Sequence, residues 1–232
     1  MKIGILIPST SNDRDWKCMK ESYLYICLLK SLILTLNIEH QYELYIVIDN
    51  DDPIYSIEKE QNELLRFKKI ITNLNIIFLY TDNIPKGWVT HMWNKAFKKA
   101  YDNGCDYFFQ CGDDIIFQDK DWVNESIKKL EEHNNIGLTG PIDLDRWNIG
   151  KHSRPGGDRF IQTQSFVSRK HMDIFGYYFP PEIKNWYCDD WITKLYYPEK
   201  FYLINKFVKN TGGRPRYKII GSLEKDCPIR KE

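Results

Sequence analysis

The sequence of 232 residues predicts an α/β protein: a mostly parallel sheet flanked by helices, followed by a mixed C-terminal region. Two observations predict it. From residue 3 to residue 133, short continuous apolar runs alternate with longer segments whose apolar residues recur every three or four positions. After residue 135 the rhythm changes to an alternating segment set between Gly/Pro-rich loops. Strand–helix alternation yields parallel strands whose crossover helices cover both sheet faces. Right-handed crossovers then align the strand ends, and open α/β sheets bind ligands outside their carboxyl ends.

The elements follow in order. IGILIPST (3–10) is a buried strand ending at Pro8. The segment 16–37 has apolar residues at Met19, Tyr23, Ile26, Leu29, Ile33 and Leu36, the spacing of a helix with one buried face. YELYIVID (42–49) is a second strand, 57–74 an amphipathic helix and NIIFLYT (75–81) a third strand. The segment 87–104 is a helix stopped by Gly104. DYFFQC (106–111) is the fourth strand, and 119–133 a surface helix capped by Asp119 or Asp121. Beyond it, 137–144 reads as a strand, 148–159 as a loop, 160–169 as an antiparallel strand, 185–197 as a helix-like segment and the tail from Asn210 as basic and irregular.

Charge excludes little and favours nothing nucleic: 33 Lys+Arg stand against 32 Asp+Glu. The aromatic content of 15% exceeds what a core demands and suits a cleft that stacks on sugars or bases. Six cysteines include no C-x-x-C pair and no zinc-like spacing, so free thiols in a reducing compartment are expected. The N-terminus enters a strand directly, and the longest apolar stretch is broken by Lys30, short of a membrane span. These features predict a soluble protein of the cytoplasm.

Three polar clusters fall at strand ends on one edge of this sheet: Pro8-Ser9-Thr10, Asp49-Asn50-Asp51-Asp52 and Gly112-Asp113-Asp114. Adjacent carboxylates after a buried strand repel, so they need either water, as in a turn, or a hard divalent cation. The Asp49–Asp52 run is either a solvated turn with a helix cap or a reader of base or ribose. A second acidic pair, Asp189-Asp190, lies among Trp186, Tyr187 and Trp191. A helix N-terminus would favour the acids. An aromatic-walled carboxylate also suits binding and deprotonating a sugar hydroxyl. Lys151, Arg154 and Arg159 in the 148–159 loop, with Arg214 and Arg216 in the tail, are candidates to clamp phosphate.

Taken in order, IGILIPST, VIDNDDP, KGWVTHMWNKAFKKA, QCGDDI and NWYCDDWI resemble the motifs of a GT-A fold nucleotide-sugar glycosyltransferase, over about residues 1–200. The resemblance implies a Rossmann-like donor half at 1–135 and an acceptor-binding, catalytic half at 136–232 of one domain. It implies a nucleotide sugar, UDP-linked, held by Pro8, Ser9, Thr10, Asp49, Asp51, Lys86, Gly87, Asn94, Gly112, Asp113 and Arg159. Mn²⁺ or Mg²⁺ would sit on Asp114, aided by Asp113. Asp190, or its neighbour Asp189, would take the proton from a glycan or other hydroxyl acceptor resting on Trp186 and Trp191, with inversion at the sugar.

Two departures stand out. Gly112 replaces the first acid of the usual DxD triplet, and no histidine follows residue 200 to complete a metal site. The compact, Asn/Lys/Ile-rich form resembles transferases of large DNA viruses or of microbes that glycosylate in the cytoplasm, which would place a viral enzyme in the host cytoplasm. Two alternatives remain. A sugar nucleotidyltransferase would carry a Gly-rich basic loop after the first strand, where this chain has STSNDRDW. A non-catalytic carbohydrate-binding module would have no use for both Asp pairs.

Overall fold

The computed structural model describes residues 1–146 and 161–212. In chain order these form β1 (Lys2–Pro8), a π-helical turn (Leu24–Leu29) running into α1 (Lys30–Ile33), β2 (Gln41–Ile48), α2 (Glu58–Leu65), β3 (Leu74–Tyr80), α3 (Val89–Asp102), β4 (Tyr107–Gln110) and β5 (Ile115–Phe117). They continue as α4 (Trp122–Glu131), β6 (Ile142–Asp143), β7 (Ser165–Ser168), α5 (Arg169–Phe175), α6 (Cys188–Tyr196) and β8 (Phe207–Asn210). The main sheet has the order β3-β2-β1-β4-β7, and a small sheet has the order β5-β8-β6. Strands β1 to β4 are parallel, and β7 runs antiparallel to β4. Among the described residues no helix is long and apolar enough to cross a membrane.

The strand sequences read as continuous apolar runs because both faces are covered. Ile3, Ile5, Ile7, Leu44, Ile46 and Phe109 point into one core layer with Leu28, Leu32, Leu64 and Trp122. Leu6, Tyr45, Val47 and Phe108 point into the other, against Trp93, Ala96, Phe97 and Ala100 of α3 and Trp191 and Ile192 of α6. The period-two alternation of strand side chains produces this division. Burial of one such Leu, Ile or Phe contributes about 1.5–3 kcal/mol. Gly4 lets α3 approach β1 closely, since a Cβ there would lie 3.0 Å from Ala100 Cβ.

Several expected elements are shorter. The helix expected over 16–37 forms as a 3-10 turn (Met19–Glu21) and then from Leu24 to Ile33. Hydroxyls compete for its carbonyls: Ser31 Oγ donates to Cys27 O (2.7 Å), and Thr35 Oγ1 donates to Ser31 O (3.0 Å). Of the two expected caps of α4, Asp121 occupies the N-cap position, but its carboxylate makes no capping bond to the helix. Asp119 accepts from Phe207 N (2.7 Å), while Asp121, at φ +67°, accepts from the side chains of Asn37 and Asn124. The strand expected at 137–144 shrinks to β6, because Gly137 and Gly140 adopt φ of +156° and +137°. Strands β5 and β8 and helix α5 were not anticipated. The described cysteines Cys18, Cys27, Cys105, Cys111 and Cys188 are free.

Candidate functional site

At the carboxyl edge of the main sheet lies a cavity of about 260 Å³, lined by Pro8, Ser9 and Thr10 after β1, Asp49 after β2, and Lys86 and Gly87 before α3. Val89 and Met92 give it an apolar wall, and Asn12 and Asp13 complete its rim. Its shape depends on Asp52, which is fully buried. The Asp52 carboxylate accepts from Ser11 N (2.7 Å), Thr10 Oγ1 (2.9 Å), Ile54 N (3.1 Å) and Tyr55 N (2.7 Å), and from Ser11 Oγ. One side chain of the β2 loop thus fixes the β1 loop. Asp49 then receives Asn12 Nδ2 at 3.3 Å and Thr81 Oγ1 at 3.2 Å, so the ends of β1, β2 and β3 converge on it. Asp51 stays outside, paired with Lys86 at 2.9 Å, and that bond holds its carboxyl below the usual range.

The Gly112-Asp113-Asp114 turn leads from β4 into β5. Asp113 is buried and accepts from Ser9 Oγ at 2.6 Å, which ties the β4 end to the β1 end. Asp114 is held by its backbone: its carbonyl accepts from Thr211 N (2.9 Å) and Thr211 Oγ1 (2.7 Å). Its carboxylate occupies space left by two glycines. A Cβ on Gly112 would lie 2.7 Å from Asp114 Oδ1, and one on Gly212 would lie 1.5 Å from Asp114 Oδ2. The donor chemistry fits a hard divalent cation, which needs one or two carboxylates and completes its shell with water and phosphate oxygens. Among the described residues no trio of His, Cys, Asp or Glu converges to hold a metal.

The second acidic pair opens α6. Thr90 N donates to Lys184 O (3.2 Å) and Asn185 Nδ2 to Gly87 O (3.1 Å), so the segment preceding α6 is docked beside the cavity. Gln162 and Gln164 tie the other side: Gln164 Oε1 accepts from Gly112 N (3.1 Å), and Gln162 N donates to Thr193 Oγ1 of α6 (2.9 Å). Burial above all, with Asp190 and Asp143 adding to it, pushes the Asp189 carboxyl up to about 7, against the pull of the Cys188 thiol and Arg146. Cys188 Sγ donates to Asp189 Oδ1 at 3.5 Å. Asp143, at the end of β6, is itself pushed up by burial.

Some expected site residues are placed elsewhere. Trp191 is 4% exposed and packs against Phe175, Tyr177 and Phe179, so its ring belongs to the core. Trp186 is 44% exposed. Asn94 is spent on the fold: it donates to Phe179 O (2.7 Å) and accepts from Tyr178 N and Phe179 N (2.9 Å each). Arg159, the 148–159 loop with Lys151 and Arg154, and Arg214 and Arg216 lie outside the described residues. Asp143, Thr211 and Gly212 were not singled out from sequence, and Asp52 was noted only as one of an acidic run. Only the Gly-Gly after Thr211 offered a local signal.

No protein-family model and no curated protein matches the sequence. Solved structures do. TarS 1–349 of S. aureus in complex with UDP-GlcNAc is 15% identical, with a TM-score of 0.56, over 93% of this chain and 60% of that chain. The mannosyltransferase PcManGT of Pyrobaculum calidifontis, in complex with GDP-Man and Mn²⁺, is 13% identical, with a TM-score of 0.53, over 87% of this chain and 56% of that one. Mouse xyloside xylosyltransferase 1 gives 0.51 at 11% identity, over 88% of this chain and 85% of that one. This is a GT-A-like glycosyltransferase fold. The GT-A-like chain spans about 60% of the length of the TarS fragment it matches.

Proposed function

We propose that the protein transfers a sugar from a nucleotide-diphosphate sugar, UDP-linked, to a hydroxyl acceptor. The observation that carries this reading is the convergence of three strand ends on one cavity: Asn12 meets Asp49, and Ser9 meets Asp113. A cavity with a carboxylate at its floor, an apolar wall and a neighbouring acidic turn suits a nucleoside followed by a diphosphate. The similar structures with bound UDP-GlcNAc, GDP-Man and Mn²⁺ support the same class of donor.

In this reading residues 1–135 hold the donor and residues 136–232 supply the acceptor side. Pro8, Ser9, Thr10 and Asp49 bind the nucleoside, with Lys86 and Gly87 on the rim. Asp114, with Asp113, would hold Mn²⁺ or Mg²⁺. When bound, that cation would neutralise the diphosphate and the charge developing as it leaves. Asp113 is buried and pre-set by Ser9, so the turn is arranged before any ligand arrives.

The Asp189–Asp190 pair takes the proton of the acceptor hydroxyl, with Trp186 as the exposed ring beside it. Sequence favoured Asp190. Burial raises the proton affinity of Asp189, which makes it the second candidate for the base, since a group that titrates near neutral pH balances basicity against availability. As the base takes the proton, the acceptor oxygen bonds to the anomeric carbon and the bond to the diphosphate breaks on the opposite face, a direct displacement that inverts the sugar.

The test is nucleotide-sugar turnover. UDP-sugars, with GDP-mannose for comparison, are incubated with the protein and Mn²⁺. Release of UDP supports the reading. Release of pyrophosphate would indicate nucleotidyl transfer, and binding without any release would indicate a binding module. In a thermal-shift screen, a donor at 100 times its Kd adds about 2.7 kcal/mol of stability.

A further inference from the structure

We propose that Arg14, which no part of the reading above uses, is an anion-binding residue of the cleft that takes the diphosphate of a nucleoside diphosphate. The inference rests on the nucleotide-sugar reading and extends it to a residue outside the acidic turn.

Three observations carry it. Arg14 forms no ion pair among the described residues, although Asp13 and Asp15 flank it in sequence. Its Nε is withdrawn from solvent and has no hydrogen-bond partner among the described residues. A guanidinium N–H out of water normally finds an acceptor, so its absence within the protein points to one supplied from outside.

The side chain is also held ready. Its guanidinium carbon lies 4.9 Å from the centre of the Tyr23 ring and 5.4 Å from that of Trp16. The two rings meet edge-on at 5.0 Å. Aromatic faces attract a cation without consuming its N–H groups. The guanidinium is therefore oriented without spending its N–H groups on the rings, and its fork is suited to phosphate oxygens.

Its location joins the two parts of the candidate site. Arg14 N donates to Ser11 O at 3.3 Å, in the loop that Asp52 anchors, and its neighbour Asp13 lines the cavity. On the other side, Tyr23 lies four residues before Cys27 on the π-helical turn. Cys27 Sγ accepts from Thr211 Oγ1 (3.3 Å), and Thr211 holds the Asp114 carbonyl. Arg14 thus belongs to the loop that borders the cavity, and the rings that hold it belong to the segment that leads through Cys27 and Thr211 to the Asp114 turn.

Calorimetric titration with UDP, UMP and uridine, in chelator so that no metal contributes, tests this on the wild type, Arg14→Gln and Arg14→Lys. Far-ultraviolet circular dichroism and melting curves establish that each variant is folded. Loss of a charge-assisted bond predicts that Arg14→Gln weakens UDP roughly 10- to 100-fold, weakens UMP less and leaves uridine unchanged. Arg14→Lys should recover part of the UDP affinity, by keeping the charge without the fork. Equal weakening of all three ligands would make Arg14 a packing residue of the loop and overturn the inference. So would unchanged UDP affinity in Arg14→Gln. A wild type that binds none of the three, in chelator or on repeating the series with Mn²⁺, would overturn the nucleotide-sugar reading and this inference with it.

Discussion

Ser9 Oγ donates a 2.6 Å hydrogen bond to Asp113 Oδ2, and both residues are buried. The bond spans 104 positions of sequence and joins the end of β1 to the end of β4. It orients a carboxylate that would otherwise be costly to bury, and it does so from the loop that lines the cavity.

Ser9→Ala removes that donor and leaves the Asp113 carboxylate less satisfied. The expected loss is about 1–3 kcal/mol of folding stability, read from urea denaturation at constant m. UDP affinity in the presence of Mn²⁺ should fall as well. A variant as stable as the wild type would mean that the bond is incidental.

Asp114→Asn tests the metal assignment. UDP binding by the wild type should tighten when Mn²⁺ replaces chelator, and this substitution should remove most of that gain, because an amide oxygen is a weaker ligand for a hard cation. Calorimetry with equal UDP affinity in Mn²⁺ and in chelator would dismiss the cation from the site.

Gly212→Ala probes the same carboxylate from the opposite strand. A Cβ at this position overlaps Asp114 Oδ2, so the carboxylate or the strap after β8 must shift. Mn²⁺-linked UDP affinity should drop while UDP affinity in chelator changes little. Gly104→Ala is the control: it is strained by its φ of +80° but has nothing within 4 Å of the added carbon, and it should lower stability without touching the metal effect.

Asp190→Asn and Asp189→Asn should both keep UDP affinity near the wild-type value. Each should lose roughly 10²-fold or more in acceptor turnover, as removal of a general base does. The two differ in stability. The Asp189 carboxyl is raised above its unfolded value, so burial of its charged form destabilises the fold. That cost is absent below the unfolded pKa of about 4, grows as pH rises and levels off above about 7. Asp189→Asn should therefore stabilise the protein at pH 8 but not at pH 4. Because Asp189 keeps some solvent contact, the gain is expected to exceed about 1 kcal/mol without reaching the full value that burial alone would imply. Melting curves at the two pH values read it directly. Near-wild-type turnover in both variants would reduce the pair to a helix-end feature.

The sequence by itself determined the parallel β1–β4 framework, the covering of both sheet faces and the single edge on which Ser9, Asp49 and Asp113 meet. These follow from local periodicity and from the handedness of crossovers, neither of which needs distant contacts. It also determined that Asp189 and Asp190 open a helix. Only the tertiary structure decided how individual side chains are spent. Trp191 and Trp186 flank the same acids in sequence, yet Trp191 lies on the buried face of α6 while Trp186 precedes the helix and stays exposed. Asn94 lies on the expected helix, but its amide clamps residues 178 and 179. Asp52 anchors a loop 41 residues away, and the strap from β8 brings Thr211 and Gly212 to Asp114 across 97 residues or more. Strands β5, β6 and β8 are only two to four residues long, too short for any periodicity to register. They form by pairing with one another, β8 between β5 and β6, a long-range pairing that no local window of sequence records.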